Sequence, residues 1–324
     1  MKIKGIHHIS AMTAKAKENY EFYTKVLGLR LIKKTVNQDD PSVYHLFYGD
    51  EIGNPGTELT FFEIPNLAAN QEGISSISAT SLRVPNDKAL EYWINRFDEL
   101  GVSNSGIVER ANRLTIEFSG LESQRFFLVS DEKNNGVASG VPWEKGPIPL
   151  DFAITGLGPV QLTVRRKEST MRVLTEMMGY RLIGEYASPI NGQPNIQVLE
   201  TGEGGTGTEI HVEERTDLNV QRLGRGGVHH VAFRVDSEEE LYECIETVND
   251  ERYQNSGFVD RFYFQSLYFR EPNGILFEIA TDGPGFATDE EVEHLGESLA
   301  LPPFLEPQRA EIERKLKPLY TTVN

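Results

Sequence analysis

The chain has 324 residues, of which 39% are hydrophobic and 25% charged, long enough for two substantial cores and far from the composition of a disordered chain. A formal net charge of −17 repels phosphate backbones and anionic membrane surfaces, and no apolar run is long enough to span a bilayer, so neither nucleic acid nor membrane is an expected partner. The opening MKIKGIHHIS lacks the apolar stretch of a secretory signal and the single Cys244 forms no internal disulfide, which makes the cytoplasm the expected compartment.

From Ile6 the chain reads as a strand carrying His7 and His8, a helix with Tyr20, Phe22, Tyr23 and Val26 at helical spacing, and then three strands bounded by Gly, Pro, Asn and Asp turns. A weaker copy runs from about Ser76 to Asp131. The Gly- and Pro-rich ASGVPWEKGPIPL, Ala138 to Leu150, has no periodicity and reads as a linker. Shifting the first unit by 151 residues lays it without a gap on LGPVQLTVRRKESTMRVLTEMMGYRLI, so that Phe22, Tyr23 and Gly28 fall on Val173, Leu174 and Gly179, and Leu31-Ile32 on Leu182-Ile183. A shift of 222 takes His7-His8 to His229-His230 and Phe22 to Cys244. After Asp282 the repeat stops, and a tail with a short helix around Gln308 to Leu316 follows, either a packing strap or a lid.

Self-similarity of this kind is the signature of repeat architecture. The expected fold is α+β with four βαβββ repeats, organised as an N-terminal half (1–137), a linker (138–150), a C-terminal half (151–282) and a tail (283–324). Apolar stripes on the repeat helices should pack on their sheets.

Two histidine pairs at one register of the first and last units are the main chemical signal. Side chains alternate along a strand, so with Ile9 and Val231 under the helices, His8 and His230 face the concave side, while His7 and His229 are expected at the strand entrance. Ala79 and Pro159 hold this register in the middle units. In EPNGILFEIAT, Glu278 lies between Phe277 and Ile279, where a carboxylate is costly unless paired or bound to a cation. Two imidazoles and one carboxylate that leave open positions suit Fe(II), with Mn(II) as a second candidate. The competing reading has the histidines merely hydrogen-bonded and Glu278 in an ion pair. Because His8 is in unit one and the other two donors are in unit four, a shared ion makes units one and four the expected partners in one cup and units two and three in another, unless a second chain supplies His8.

The HHI and HHV strands, the stretch YFREPNGILFEIATDGPGF and the tail ESLALPPFLEPQRAEIERKLKPL resemble the vicinal oxygen chelate superfamily, and within it the ring-cleaving dioxygenases that act on hydroquinones. The resemblance covers essentially the whole chain. It implies that His8, His230 and Glu278 ligate iron, that His229, Arg261 and Tyr268 act in catalysis, and that His7 and Ser10 contact substrate. The implied activity opens a hydroquinone or catechol ring next to a hydroxyl-bearing carbon, with a small aromatic diol and dioxygen as partners and a homo-oligomer as the assembly.

Arg261 and Tyr268 are seven residues apart, so a turn or bulge must intervene for both to reach one pocket; otherwise they read as an exposed charge and a packing aromatic. His45, His211 and His294 read as surface or core residues. Two other classes stay open: a glyoxalase-like metal-dependent isomerase or lyase, which wants a second carboxylate ligand, and a small-molecule-sequestering resistance protein, which needs no metal donors.

Overall fold

The computed structural model describes residues 1–321. Each repeat is a strand, a helix and three further strands: β1 (Ile6–Thr13), α1 (Ala16–Glu21), β2 (Arg30–Asn37), β3 (Asp40–Gly49) and β4 (Glu58–Glu63) in the first, and β5 (Ser76–Val84), α2 (Asp87–Leu100), β6 (Asn104–Arg110), β7 (Arg113–Ser119) and β8 (Arg125–Ser130) in the second. The third comprises β9 (Gly156–Val164), α3 (Lys167–Arg172), β10 (Arg181–Tyr186), β11 (Ile196–Glu200) and β12 (Ile210–Glu214). The fourth comprises β13 (Val228–Val235), α4 (Glu238–Asp250), β14 (Val259–Asp260), β15 (Phe264–Arg270) and β16 (Leu276–Pro284).

These strands form two eight-stranded sheets, ordered β14-β15-β16-β13-β1-β4-β3-β2 and β10-β11-β12-β9-β5-β8-β7-β6. Repeat one therefore joins repeat four through the antiparallel pair β1 and β13, and repeat two joins repeat three through β5 and β9. This is the pairing expected from donors in the first and last units. Local sequence explains the helices. Asn86 caps α2 by accepting from the Ala89 N–H, Gly101 ends it in a left-handed turn, and Ala89, Leu90, Trp93 and Phe97 bury one face. Both α1 and α3 run on into a π-helical turn, Phe22–Val26 and Val173–Met177, at equivalent places.

The tail is a strap over the first cup. Lys33 on β2 is fully buried and its Nζ lies 2.7 Å from Asp289, with Glu290 as a second carboxylate partner. Helix α5 (Arg309–Lys315) follows, burying Ile312. The consequence shows in a matched pair of strands. Leu31 and Ile32 are 5% and 0% exposed, whereas their counterparts Leu182 and Ile183 on β10 are 53% and 46% exposed, because the one tail packs on the β2–β3 side of the first cup, where Leu299 pairs with Lys34 and Tyr44 bonds the Lys317 carbonyl. Tyr242 on α4 is likewise exposed, lying flat on Phe258, so not every apolar position of the helix stripes packs on a sheet.

Candidate metal centre and its cleft

The concave floor of the first cup gathers the donors. His8 and His230 sit on neighbouring central strands, with His8 opposite Ala232 and His230 opposite Ser10, and Glu278 on β16 is in register with Ala232. Their ligating atoms form a triangle: His8 Nε2 to His230 Nε2 is 3.4 Å, His8 Nε2 to Glu278 Oε2 is 3.2 Å, and His230 Nε2 to Glu278 Oε2 is 2.9 Å. All three residues are buried, and Glu278 Oε2 has no hydrogen-bond donor in good geometry. Metal bonds of about 2.1 Å meeting near right angles put donors about 3.0 Å apart, so these residues fit one face of an octahedral divalent ion. Burial opposes the charge on Glu278, yet the two imidazoles hold its carboxyl well below the usual range. The other Glu278 oxygen is fixed by the Ser266 hydroxyl at 2.6 Å.

Behind each donor histidine stands its chain neighbour. The β1–β13 ladder has register shifts at His7 and at His229, and these β-bulges turn both members of each pair toward the concave side. His7 and His229 do lie at the strand entrance, as the second residues of β1 and β13, but simple alternation, which would turn them away from the face of His8 and His230, fails for this reason. His7 is buried, donates from Nε2 to the Thr281 carbonyl at 3.0 Å, and presents Nδ1 to His8 Nδ1 at 3.0 Å. A carbonyl only accepts, so the proton is on His7 Nε2, His8 Nδ1–H donates to the bare His7 Nδ1, and the lone pair of His8 Nε2 is left for the triangle. Burial above all pushes His7 down to about 3, which keeps it neutral. His229 meets His230 in the same way, Nδ1 to Nδ1 at 2.8 Å, but lies on the cleft wall.

The cleft above the triangle encloses about 420 Å³. Phe47, Phe62 and Phe264 are among its apolar walls, and His45 is sandwiched between Phe47 and Phe62 with ring centroids 4.0 and 4.1 Å away. His45 Nε2 meets the Thr60 hydroxyl at 2.9 Å, and Thr60 meets Ser10 at 2.7 Å. Ser10 and His7 thus lie beneath the wall, not on it, and the face that resemblance gave to Ser10 is held by His45. Its signal was available: with Tyr44, Leu46 and Tyr48 in the core, alternation puts His45 on the concave side.

Arg261 and Tyr268 both reach the cleft. The intervening turn is present: Phe262 adopts φ 70°, its N–H bonding Asp260 at 2.8 Å, and the Arg261 N–H bonds the Phe264 carbonyl. Arg261 Nε donates to the Tyr268 hydroxyl at 3.2 Å, which leaves the phenol proton free to donate into the cleft. Burial and the nearby Glu278 raise the Tyr268 phenol, keeping it protonated.

The second cup shows what the same positions do without donors. The register position of Glu278 is taken by Thr60 in repeat one, Phe127 in repeat two and His211 in repeat three, read from the matching parallel registers. Opposite stand Ala79 and Pro159. His211 is instead closed in by Glu209 at 3.1 Å and the Tyr186 hydroxyl at 3.0 Å, while Glu209 takes a bidentate Arg113. His294 is an exposed partner of Glu297.

Among the described residues, no helix is long and apolar enough to cross a membrane. The family model described as Glyoxalase/Bleomycin resistance protein/Dioxygenase superfamily matches residues 5–133 and 156–279. Over 319 residues, 98% of this chain and 100% of the relative, the sequence is 55% identical to MhqA of Bacillus subtilis, whose name provisionally places it among ring-cleaving dioxygenases. It is 30% identical over 322 residues to the chlorohydroquinone/hydroquinone 1,2-dioxygenase of Sphingobium indicum, covering 97% of this chain and 96% of that one. A Bacillus subtilis crystal structure, described provisionally as a dioxygenase, matches with a TM-score of 0.89 at 35% identity over 98% of this chain and 97% of its own. Full-length matches of this kind, on a fold of paired repeats with one donor-bearing cup, establish that the chain belongs to the Glyoxalase/Bleomycin resistance protein/Dioxygenase superfamily.

Proposed function

We propose that the protein is a ring-cleaving dioxygenase that binds Fe(II) through His8, His230 and Glu278 and opens a hydroquinone, or alternatively a catechol, at the ring bond beside a hydroxyl-bearing carbon. The observation that carries this reading is the donor triangle at the floor of an aromatic-walled cleft. Names of relatives that match nearly the whole chain support it. The bound ion would supply a Lewis acid that favours the phenolate and a redox partner through which dioxygen reaches the ring.

The chain's own residues do the rest. His7, held by the Thr281 carbonyl, fixes the tautomer of His8. With His230 ligating through Nε2, its Nδ1–H donates to His229, so the remaining proton of His229 is on Nε2, where it is positioned to exchange with a substrate hydroxyl. Tyr268 offers a hydrogen bond to a substrate oxygen and Arg261 holds Tyr268 in place. Phe47, Phe62 and His45 form a platform for a ring. Ring cleavage adds both oxygen atoms to the product and requires no further oxidant. A second buried carboxylate, Glu58, groups with His7 and His8, 3.7 Å from His7 Nδ1, but not with His230 and Glu278, and it does not line the cleft; three donors rather than four around one ion favour this chemistry over an isomerase needing four protein ligands. The same reading puts the enzyme in the cytoplasm as a homo-oligomer.

Protein purified without air is expected to carry one Fe(II), or one Mn(II), per chain and to consume one dioxygen per hydroquinone on an oxygen electrode. An absence of oxygen uptake with both hydroquinone and catechol in metal-loaded protein overturns the proposal.

A further inference from the structure

A clasp between repeats one and four lines one side of the cleft. The β2–β3 hairpin, through its tip residues Gln38 and Asp39, reaches across to Arg261. Both Asp39 carboxylate oxygens accept from the Arg261 guanidinium, at 3.2 and 3.0 Å, and Gln38 Nε2 donates to the Arg261 carbonyl at 2.7 Å. Asp39, Gln38 and Arg261 all line the cleft. Asp39 has no other side-chain role: its carboxylate is 73% exposed and its only ion-pair partner among the described residues is Arg261.

A guanidinium beside an aromatic site would ordinarily recruit a ring carrying a carboxylate, because the planar fork binds that group in two places. Here the fork is already occupied. Asp39 takes one N–H from each Nη and Tyr268 takes the Nε–H, so the two-pronged end of the guanidinium is engaged, one N–H remains on each Nη, and the pair is electrically neutral. Beyond that pair, the fixed charge facing a ring is that of a divalent ion less the one carboxylate of Glu278, matched to a singly deprotonated diol with no further anionic group. A carboxylate on the ring would have to displace Asp39 to bind that end in two places, or settle for a single remaining N–H beside a like charge.

Resting on the ring-cleavage reading, we infer that Asp39 is a specificity-determining residue that reserves the cleft for diols without an acidic substituent, by masking Arg261. Removing its charge exposes the guanidinium to the cleft and opens the site to ring carboxylates. The selection acts through an exposed ion pair, so it is strongest at low ionic strength and weakens as salt screens it.

The test compares two probes, hydroquinone and 2,5-dihydroxybenzoate, by calorimetric titration of the full-length, metal-loaded protein without oxygen. Wild type is expected to bind hydroquinone at least tenfold more tightly than the carboxylate. D39N should shift that ratio by about tenfold toward the carboxylate at low salt, D39E should restore the wild-type ratio, and R261K, which lacks the fork, should not show the D39N gain when the two changes are combined. A D39N ratio within twofold of wild type, a wild type indifferent to the carboxylate, or a wild type that binds neither probe overturns the inference. Oxygen uptake reports separately on ring cleavage: binding that follows the expected ratios without any oxygen consumption sinks the catalytic reading and leaves the charge selection standing.

Discussion

His7 and His8 meet Nδ1 to Nδ1 at 3.0 Å, and the far side of His7 is pinned to the Thr281 carbonyl. That chain of two hydrogen bonds leaves only one tautomer for His8, the one with a bare Nε2 in the donor triangle. Replacing His7 by Ala removes the acceptor and frees the His8 ring to turn. Metal affinity is expected to fall about 10- to 100-fold, the usual effect of losing such a partner, measured by competition with a chelator. His229→Ala, on the cleft wall, should depress turnover more than metal affinity. Equal metal affinity in H7A and wild type would show that the pin is idle.

Glu278 is the buried charge on which the triangle depends. In Glu278→Gln the amide matches the carboxylate in shape and keeps a partner in Ser266, but offers a divalent ion no charge. Apo wild type and apo E278Q should unfold within about 2 kcal/mol of each other, whereas added Fe(II) or Mn(II) should raise the melting temperature of wild type alone, since a ligand stabilises only the state it binds. Melting curves with and without metal check this. A full metal-induced shift in E278Q removes Glu278 from the ligand set.

The repeat architecture and its one-with-four pairing were legible because helix stripes and turn residues recur at fixed offsets and because three donors to one ion must be adjacent. His8, His230 and Glu278 follow from alternation, which depends only on which neighbours are apolar. His7 and His229 did not, because a bulge is set by how two strands pair, and neither strand alone encodes it. His45 reads as a surface or core residue because it has no counterpart among the paired histidines, although alternation with Tyr44, Leu46 and Tyr48 puts it on the concave side. Asp39 gave no signal at all. Its partner is 222 residues away, and an acidic residue in a hairpin turn looks like any solvated loop residue. The exposure of Leu182 and Ile183 was equally hidden, since their sequence matches Leu31 and Ile32 and only the reach of the tail separates them.

The second cup is expected to be structural. His211 bridges Glu209 and Tyr186 in a buried network that contains no other donor set. His211→Ala should leave metal content at one ion per chain and leave turnover near wild type. It should also lower stability by about 1 to 3 kcal/mol, because Tyr186 and Glu209 lose a buried partner. Metal analysis and urea unfolding of the same preparation separate the two effects. Loss of metal in H211A would show that the second cup takes part in binding.

The strand pairing makes the two sequence halves interdependent. Strand β1 from the first half is zipped along β13 from the second, and β5 along β9, so each cup is completed by both halves. A fragment 1–137 would keep repeats one and two but expose the inner edges of β1 and β5, with Ile6, Ile9 and Leu82 losing buried neighbours. It would hold His8 without His230 or Glu278. Such a fragment is expected to aggregate or stay largely unfolded and to bind no metal tightly. The complementary fragment 138–324 would hold His230 and Glu278 on an equally unpaired β13 and should also fail alone. Co-expression of the two should recover a one-to-one complex carrying one ion, because the strands that must pair are intact and the break falls in the irregular segment between β8 and β9. Size-exclusion chromatography with metal analysis checks both arms. A monomeric, cooperatively folded and metal-loaded fragment 1–137 would be incompatible with a centre assembled from the first and last repeats.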